Sequence, residues 1–172
     1  MNVIHECVNW NAARYDRIFN AELSMALLKE EVSELTEATD LVTIADACGD
    51  ILFVCCGVLW KMGFEEEEIE MIMNNTVPLD DVKRLAAANN GPQSEKVVEF
   101  IFKAIFEIVA SAAKEHKLGP CMKDICAAIC KSNNTKSIEG KTDPSQKANI
   151  NKGPNYVPPT EDLITILNNR SI

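Results

Sequence analysis

Glu30-Glu31-Val32-Ser33-Glu34 and Asp46-Ala47-Cys48-Gly49-Asp50 put carboxylates into segments whose other residues read as buried helix. Acids at helical spacing interrupt one apolar stripe through Ser24, Leu27, Glu31, Glu34 and Ala38, and another through Thr43, Asp46, Asp50, Phe53 and Gly57. Carboxylates almost never enter a core unless something pairs with them. Neither cluster holds a Lys or Arg that could do so. A hard divalent cation such as Mg²⁺ or Mn²⁺, which takes oxygen ligands, is the simplest partner. A protein that concentrates cations in this way meets an anionic substrate through them.

The elements that would position these acids follow from periodicity. Leu23, Leu27, Leu28, Val32 and Leu35 predict a helix over 20–38. Thr39-Asp40 supplies a turn and an N-cap, and a second helix over 41–62 is apolar on nearly every side after Asp50, which marks it as central. So short a turn makes the two helices an antiparallel hairpin. Glu34 lies six residues before Asp40 and Asp46 six after; Glu31 lies nine before and Asp50 ten after. Both helices climb ~1.5 Å per residue, so Glu34 and Asp46 match in height, as do Glu31 and Asp50. Spacings of i,i+3 and i,i+4 keep each pair on one face. Two like charges ~4 Å apart cost about 4 kcal/mol at an effective dielectric near 20, a cost that a bound cation turns into binding energy. The competing view is that Glu-rich helices are solvated faces; the mirrored second cluster ahead of a ten-residue apolar run weighs against it. The Glu65–Glu68 run has no such context and reads as a solvated helix start.

Further helices are predicted near 65–73, 80–88, 94–116 and 121–131, and a short one near 161–168. The expected fold is all-α: a bundle over 1–131 containing the hairpin 20–62, followed by an extended basic arm over 132–172 of the same domain. The net charge of −9 is unevenly spread, +2 in residues 131–172 and therefore −11 in the rest. An acidic body is the wrong footprint for duplex nucleic acid. No signal peptide is visible, and the run Ile51–Trp60 is shorter than the ~20 residues a bilayer span takes, so no membrane partner is expected. Seven cysteines clustered inside helical segments read as small apolar filler in a reduced cytoplasmic protein.

The hairpin resembles the all-α nucleoside triphosphate pyrophosphohydrolases, the superfamily of MazG proteins, dimeric dUTPases and phosphoribosyl-ATP pyrophosphohydrolases. Their signature is EExxE followed by ExxD. Glu30, Glu31, Glu34 and Asp50 match it; the remaining acid position is Ala47, with Asp46 one residue earlier as the available replacement. The tail adds Ser132-Asn133-Asn134-Thr135-Lys136 and Lys152-Gly153-Pro154-Asn155-Tyr156-Val157-Pro158-Pro159, similar to the SNxxK and KGPNYxPP segments of phage-encoded relatives. The resemblance implies a MazG-like bundle, a homodimer or homotetramer, and Mg²⁺-dependent cleavage of a (d)NTP between its α- and β-phosphates. It implies Glu31, Glu34, Asp46 and Asp50 as metal ligands, Glu30 or Glu37 as the residue handling the attacking water, and Asn133, Lys136, Lys152 and Tyr156 as substrate contacts. A phage-encoded member would act in the host cytoplasm. Hydrolysis of phosphoribosyl-ATP and a noncatalytic helical interaction module are the alternatives.

Overall fold

The computed structural model describes residues 2–136 and 152–170. Its elements are α1 (Val3–Arg14), α2 (Ala21–Glu37), α3 (Leu41–Lys61), α4 (Glu66–Met73), α5 (Leu79–Asn90), α6 (Gln93–Lys103), α7 (Ala110–Glu115), α8 (Met122–Asn134) and α9 (Thr160–Asn169). There is no strand among the described residues, so the fold is all-α as the periodicity predicts. The hairpin stands where expected. Asp40 caps α3 by accepting from the amides of Val42 and Thr43, while the Thr43 hydroxyl oxygen accepts from the Asp40 amide in return. That reciprocal cap satisfies amides the first helical turn would otherwise leave open. Gly63, at φ +99°, takes the left-handed turn that ends the segment.

α3 is the axis of the bundle, packed against α1, α2, α4, α8 and α9. Ile51, Cys55 and Leu59 are fully enclosed. With 21 residues and a mean hydropathy of 1.9, this helix is long and apolar enough to cross a bilayer, a property that a bundle's central helix shares. α8 approaches it closely at Gly49, where an added Cβ would lie 2.5 Å from Cγ1 of Ile129. All seven cysteines are free thiols, six of them buried, in keeping with their expected use as filler. Cys7, Cys56, Cys126 and Cys130 line a cavity of ≈ 560 Å³ between α1, α3 and α8.

Two details differ from the sequence-based expectation. The helix predicted over 94–116 is interrupted by a π-helical segment, Ala104–Val109, between α6 and α7. α8 continues to Asn134, past the point where polar composition predicts an extended arm, because Ser132 and Asn133 are buried. The returning chain explains that burial. Ser132 Oγ donates to the Val157 carbonyl at 2.8 Å, and the Val157 amide donates to Thr135 Oγ1 at 2.9 Å. α9 then docks Leu163 and Leu167 into the core, and Lys131 pairs with Asp162 at 2.6 Å.

The Gly49 contact yields a test of the packing. Gly49→Ala forces Ile129 and Ile125 aside in an enclosed interface, and overpacking of this kind costs ~1–3 kcal/mol. The expected outcome is a lower urea midpoint with unchanged helical circular dichroism.

Candidate active site

α2 and α3, together with one face of α1 and the C-terminal end of α8, enclose a cleft of ≈ 590 Å³. Glu30, Glu31 and Glu34 enter it from α2 and Asp50 from α3, joined by Asn133, Lys136 and Lys152. Leu23, Leu27, Phe53, Val54 and Val58 form its apolar walls, and Trp10, Asn11, Tyr15, Gly57 and Lys61 complete the lining. One chamber thus combines acids, lysines and an apolar, aromatic recess.

The carboxylates perturb one another as the hairpin register predicts. Burial pushes Glu31 up to about 8, with the charge of Asp50 next in importance, then Glu34 and Glu30; Lys136 opposes the shift. Burial pushes Asp50 up to about 7, assisted by Asp46 and Glu34 and opposed by Lys136 and Lys152. Asp46 is raised by burial, with Lys136 and Lys152 pulling down and Glu34 pushing up. Burial disfavours a charged carboxylate and neighbouring negative charges disfavour it further. Glu31 therefore feels Asp50 and Asp46 feels Glu34, the two pairings that counting from Asp40 puts at equal heights.

Asp46 does not line the cleft, but it is half-buried and joins the same electrostatic cluster, whereas Ala47 is buried in the core. Glu37 lies outside the cleft, exposed, accepting a 3.2 Å hydrogen bond from Ser33 Oγ. Tyr156 is also outside the lining and acts one step back: Lys152 Nζ sits 5.1 Å and Lys136 Nζ 6.0 Å from its ring centre. Cation–π attraction of this kind places the two ammonium groups without neutralising them.

The end of α8 is tied down by α1. Trp10 Nε1 donates to the Asn133 carbonyl at 2.8 Å, and Arg14 Nη2 donates to the Lys136 carbonyl at 3.3 Å. The Arg14 guanidinium lies 4.6 Å above the Trp10 ring. Asn11 packs on Gly57, where an added Cβ would come within 2.9 Å of its amide atoms, so the missing side chain lets α1 approach α3. Lys61 Nζ stands 3.9 Å from the centre of the Tyr15 ring. Asn11, Tyr15 and Lys61 escaped sequence reasoning. The available signals were weak: a glycine inside an otherwise apolar run, and a lysine at the end of that helix.

Residues 9–76 match the family model for phosphoribosyl-ATP pyrophosphohydrolase. Over that span the chain is similar to a pyrophosphohydrolase of the MazG-like all-α kind. No curated protein and no solved structure matches the chain. The matched span carries the acidic hairpin and the α1 face of the cleft; Asn133, Lys136 and Lys152 come from outside it. The family is typically dependent on a divalent metal, and the donor set suits one. The acids offer hard oxygen ligands, and among the described residues Glu31, Glu34, Asp46 and Asp50 form no ion pair with Lys, Arg or His. No group of three or more His, Cys, Asp or Glu among those residues stands ready to hold an ion. Mg²⁺ commonly takes one or two carboxylates and completes its shell with substrate phosphate and water.

The raised pKa values fix a pH dependence for the metal-free protein. Glu31 and Asp50 hold protons in the folded chain that the unfolded chain releases near pH 4, so stability falls as pH rises from about 4 to 8 and levels above. Thermal melts in chelator should show the midpoint dropping across that window. Saturating Mg²⁺ should restore most of the loss at pH 8, and Glu31→Gln should flatten the chelator profile.

Proposed function

We propose that this pyrophosphohydrolase uses Mg²⁺ or Mn²⁺ to hydrolyse a (deoxy)nucleoside triphosphate between its α- and β-phosphates, releasing the monophosphate and pyrophosphate. The observation that carries the proposal is the sharing of one cleft by the mutually repelling acids of α2 and α3, two lysines in their field and apolar, aromatic walls. Glu31, Glu34 and Asp50 would hold the ions, with Asp46 behind them. When bound, such ions polarise the phosphoryl oxygens and lower the pKa of water.

The protein's own groups do the rest. Lys136 and Lys152 act on the polyphosphate as point charges on flexible stems, braced by Tyr156. Glu30, on the cleft wall next to Glu31, takes the proton of the attacking water, a role that requires hydrogen-bond reach to that water. Water adds to the α-phosphorus, the bond from that phosphorus to the α–β bridging oxygen breaks, and pyrophosphate leaves with the bonding electrons. Leu27, Phe53 and Val54 keep bulk water from the reacting groups and so strengthen every electrostatic contact there. Glu37, exposed and outside the lining, has no part in this scheme.

Phosphoribosyl-ATP is a second candidate substrate for the same bond chemistry, favoured by the family to which residues 9–76 match. Turnover of the purified compound tests it directly. A noncatalytic module is the poorer account, because a solvated acidic face would not leave Glu31 and Asp50 half-buried with raised pKa values.

Pyrophosphate release should require a divalent ion and stop in chelator. Glu34→Gln and Asp50→Asn should each lower kcat/KM by about 10²-fold or more, the scale expected when a transition-state charge partner is lost. Circular dichroism should confirm that both variants fold. Full turnover by either variant would contradict the assignment.

A further inference from the structure

Lys136 is the positive charge common to the acids of both helices: it acts on Glu31, Asp46 and Asp50. It stands two residues beyond the end of α8, which stops at Asn134. A chain that has just left a helix has no ladder to hold it, and the last carbonyls of the helix are open. Here both backbone groups of Lys136 are engaged. Its amide donates to the Asn133 carbonyl at 3.1 Å, and its carbonyl accepts from Arg14 Nη2 at 3.3 Å. The Asn133 carbonyl also accepts from Trp10 Nε1 at 2.8 Å. The last turn of α1 thus closes the end of α8 from across the bundle.

Arg14 and Trp10 work together, one helical turn apart. Arg14 Nη1 donates to the Trp10 carbonyl at 3.2 Å, and the guanidinium lies 4.6 Å above the Trp10 ring. Phe53 meets the indole at a steep angle, with ring centres 5.2 Å apart and planes at 75°. A buried indole covered by a guanidinium and wedged by Phe53 is a brace, and a poor platform for a nucleobase. Arg14 does not line the cleft and is not among the charges acting on Glu31, Asp46 or Asp50. What it does for the site must therefore pass through the main chain of Lys136. Arg17 makes a similar contact on the other tryptophan, 5.6 Å above Trp60, and donates to the Trp60 and Phe64 carbonyls at 2.8 and 2.7 Å. Neither of those carbonyls belongs to α8.

We propose that Arg14 is a positioning residue of this site: bonded to the Lys136 carbonyl and seated on Trp10, it fixes where the Lys136 ammonium meets the polyphosphate. The assignment rests on the nucleotide pyrophosphohydrolase activity proposed above. A guanidinium suits the task because its planar fork donates in two directions while its face stays on the indole. A lysine at this position would keep the charge and lose the fork, so Arg14→Lys separates bridging from charge.

The test uses the full-length protein with Mg²⁺ and the (d)NTP it cleaves fastest. Arg14→Met should lower kcat/KM by about 10-fold, the scale of one charge-assisted hydrogen bond, divided between kcat and KM as in Lys136→Met. The double variant should be no worse than Lys136→Met alone, because the clamp then has no ammonium to place. Arg14→Lys should lose as much as Arg14→Met, and Arg17→Met should leave kcat/KM unchanged. Hydrogen exchange of the free protein reads the clamp without substrate. In Arg14→Met the Lys136 amide should exchange faster while the amides of α2 and α3 keep their protection, which also shows that the variant folds. Additive losses in the double variant, full activity in Arg14→Lys, an equal loss in Arg17→Met or unchanged exchange at Lys136 would each overturn the proposal. If no nucleotide is cleaved, the activity falls on its own, and the exchange result still decides whether Arg14 holds Lys136.

Discussion

Glu31 and Asp50 share a half-buried cleft between α2 and α3 with Glu30 and Glu34, and the remaining features of the cleft answer to the repulsion among these acids. The raised pKa values of Glu31 and Asp50 show acids held in the wrong electrostatic surroundings for an empty site. On the proposed function, a cation between them would relieve the repulsion, and a polyphosphate would relieve the cation in turn. Among the described residues Lys136 and Lys152 are the positive charges acting on Asp50, and they come from a part of the chain remote from the hairpin. Charge would then be balanced by layers of acid, metal, phosphate and lysine, coupling ion affinity to nucleotide affinity.

The acidic half of the site was legible because helices are rulers. Once Thr39-Asp40 is read as a turn, ~1.5 Å per residue fixes which acids share a height, and the pairing of Glu31 with Asp50 and of Asp46 with Glu34 follows. Asp46, one residue before Ala47, is half-buried and lies in the field of Glu34 without lining the cleft. Asn11, Tyr15 and Lys61 were not legible in the same way. They depend on how α1 lies across α3, and that angle is set by the absent side chain at Gly57 and the long-range bond from Trp10 to Asn133, neither of which has a local sequence signal.

The boundary of α8 shows the same limit. Ser132, Asn133 and Asn134 are turn-forming residues by composition, yet they finish a helix because the returning chain meets them with its own hydrogen bonds. Glu37 illustrates the opposite error. It continues the acidic run at helical spacing, but it falls beyond the end of the cleft and settles on Ser33.

The bond from Trp10 to Asn133 joins residues 123 positions apart, whereas the acidic hairpin is closed by a turn of three. Local contacts form early and distant ones late, because a long loop must lose its freedom before the contact rewards it. The acidic half of the chamber can therefore assemble while the chain is still largely open, and the half that carries the lysines arrives only with the final closure. On the activity proposed above, a nascent or partly opened molecule would take up ions without being competent to cut, and cleavage would be confined to chains that have finished folding.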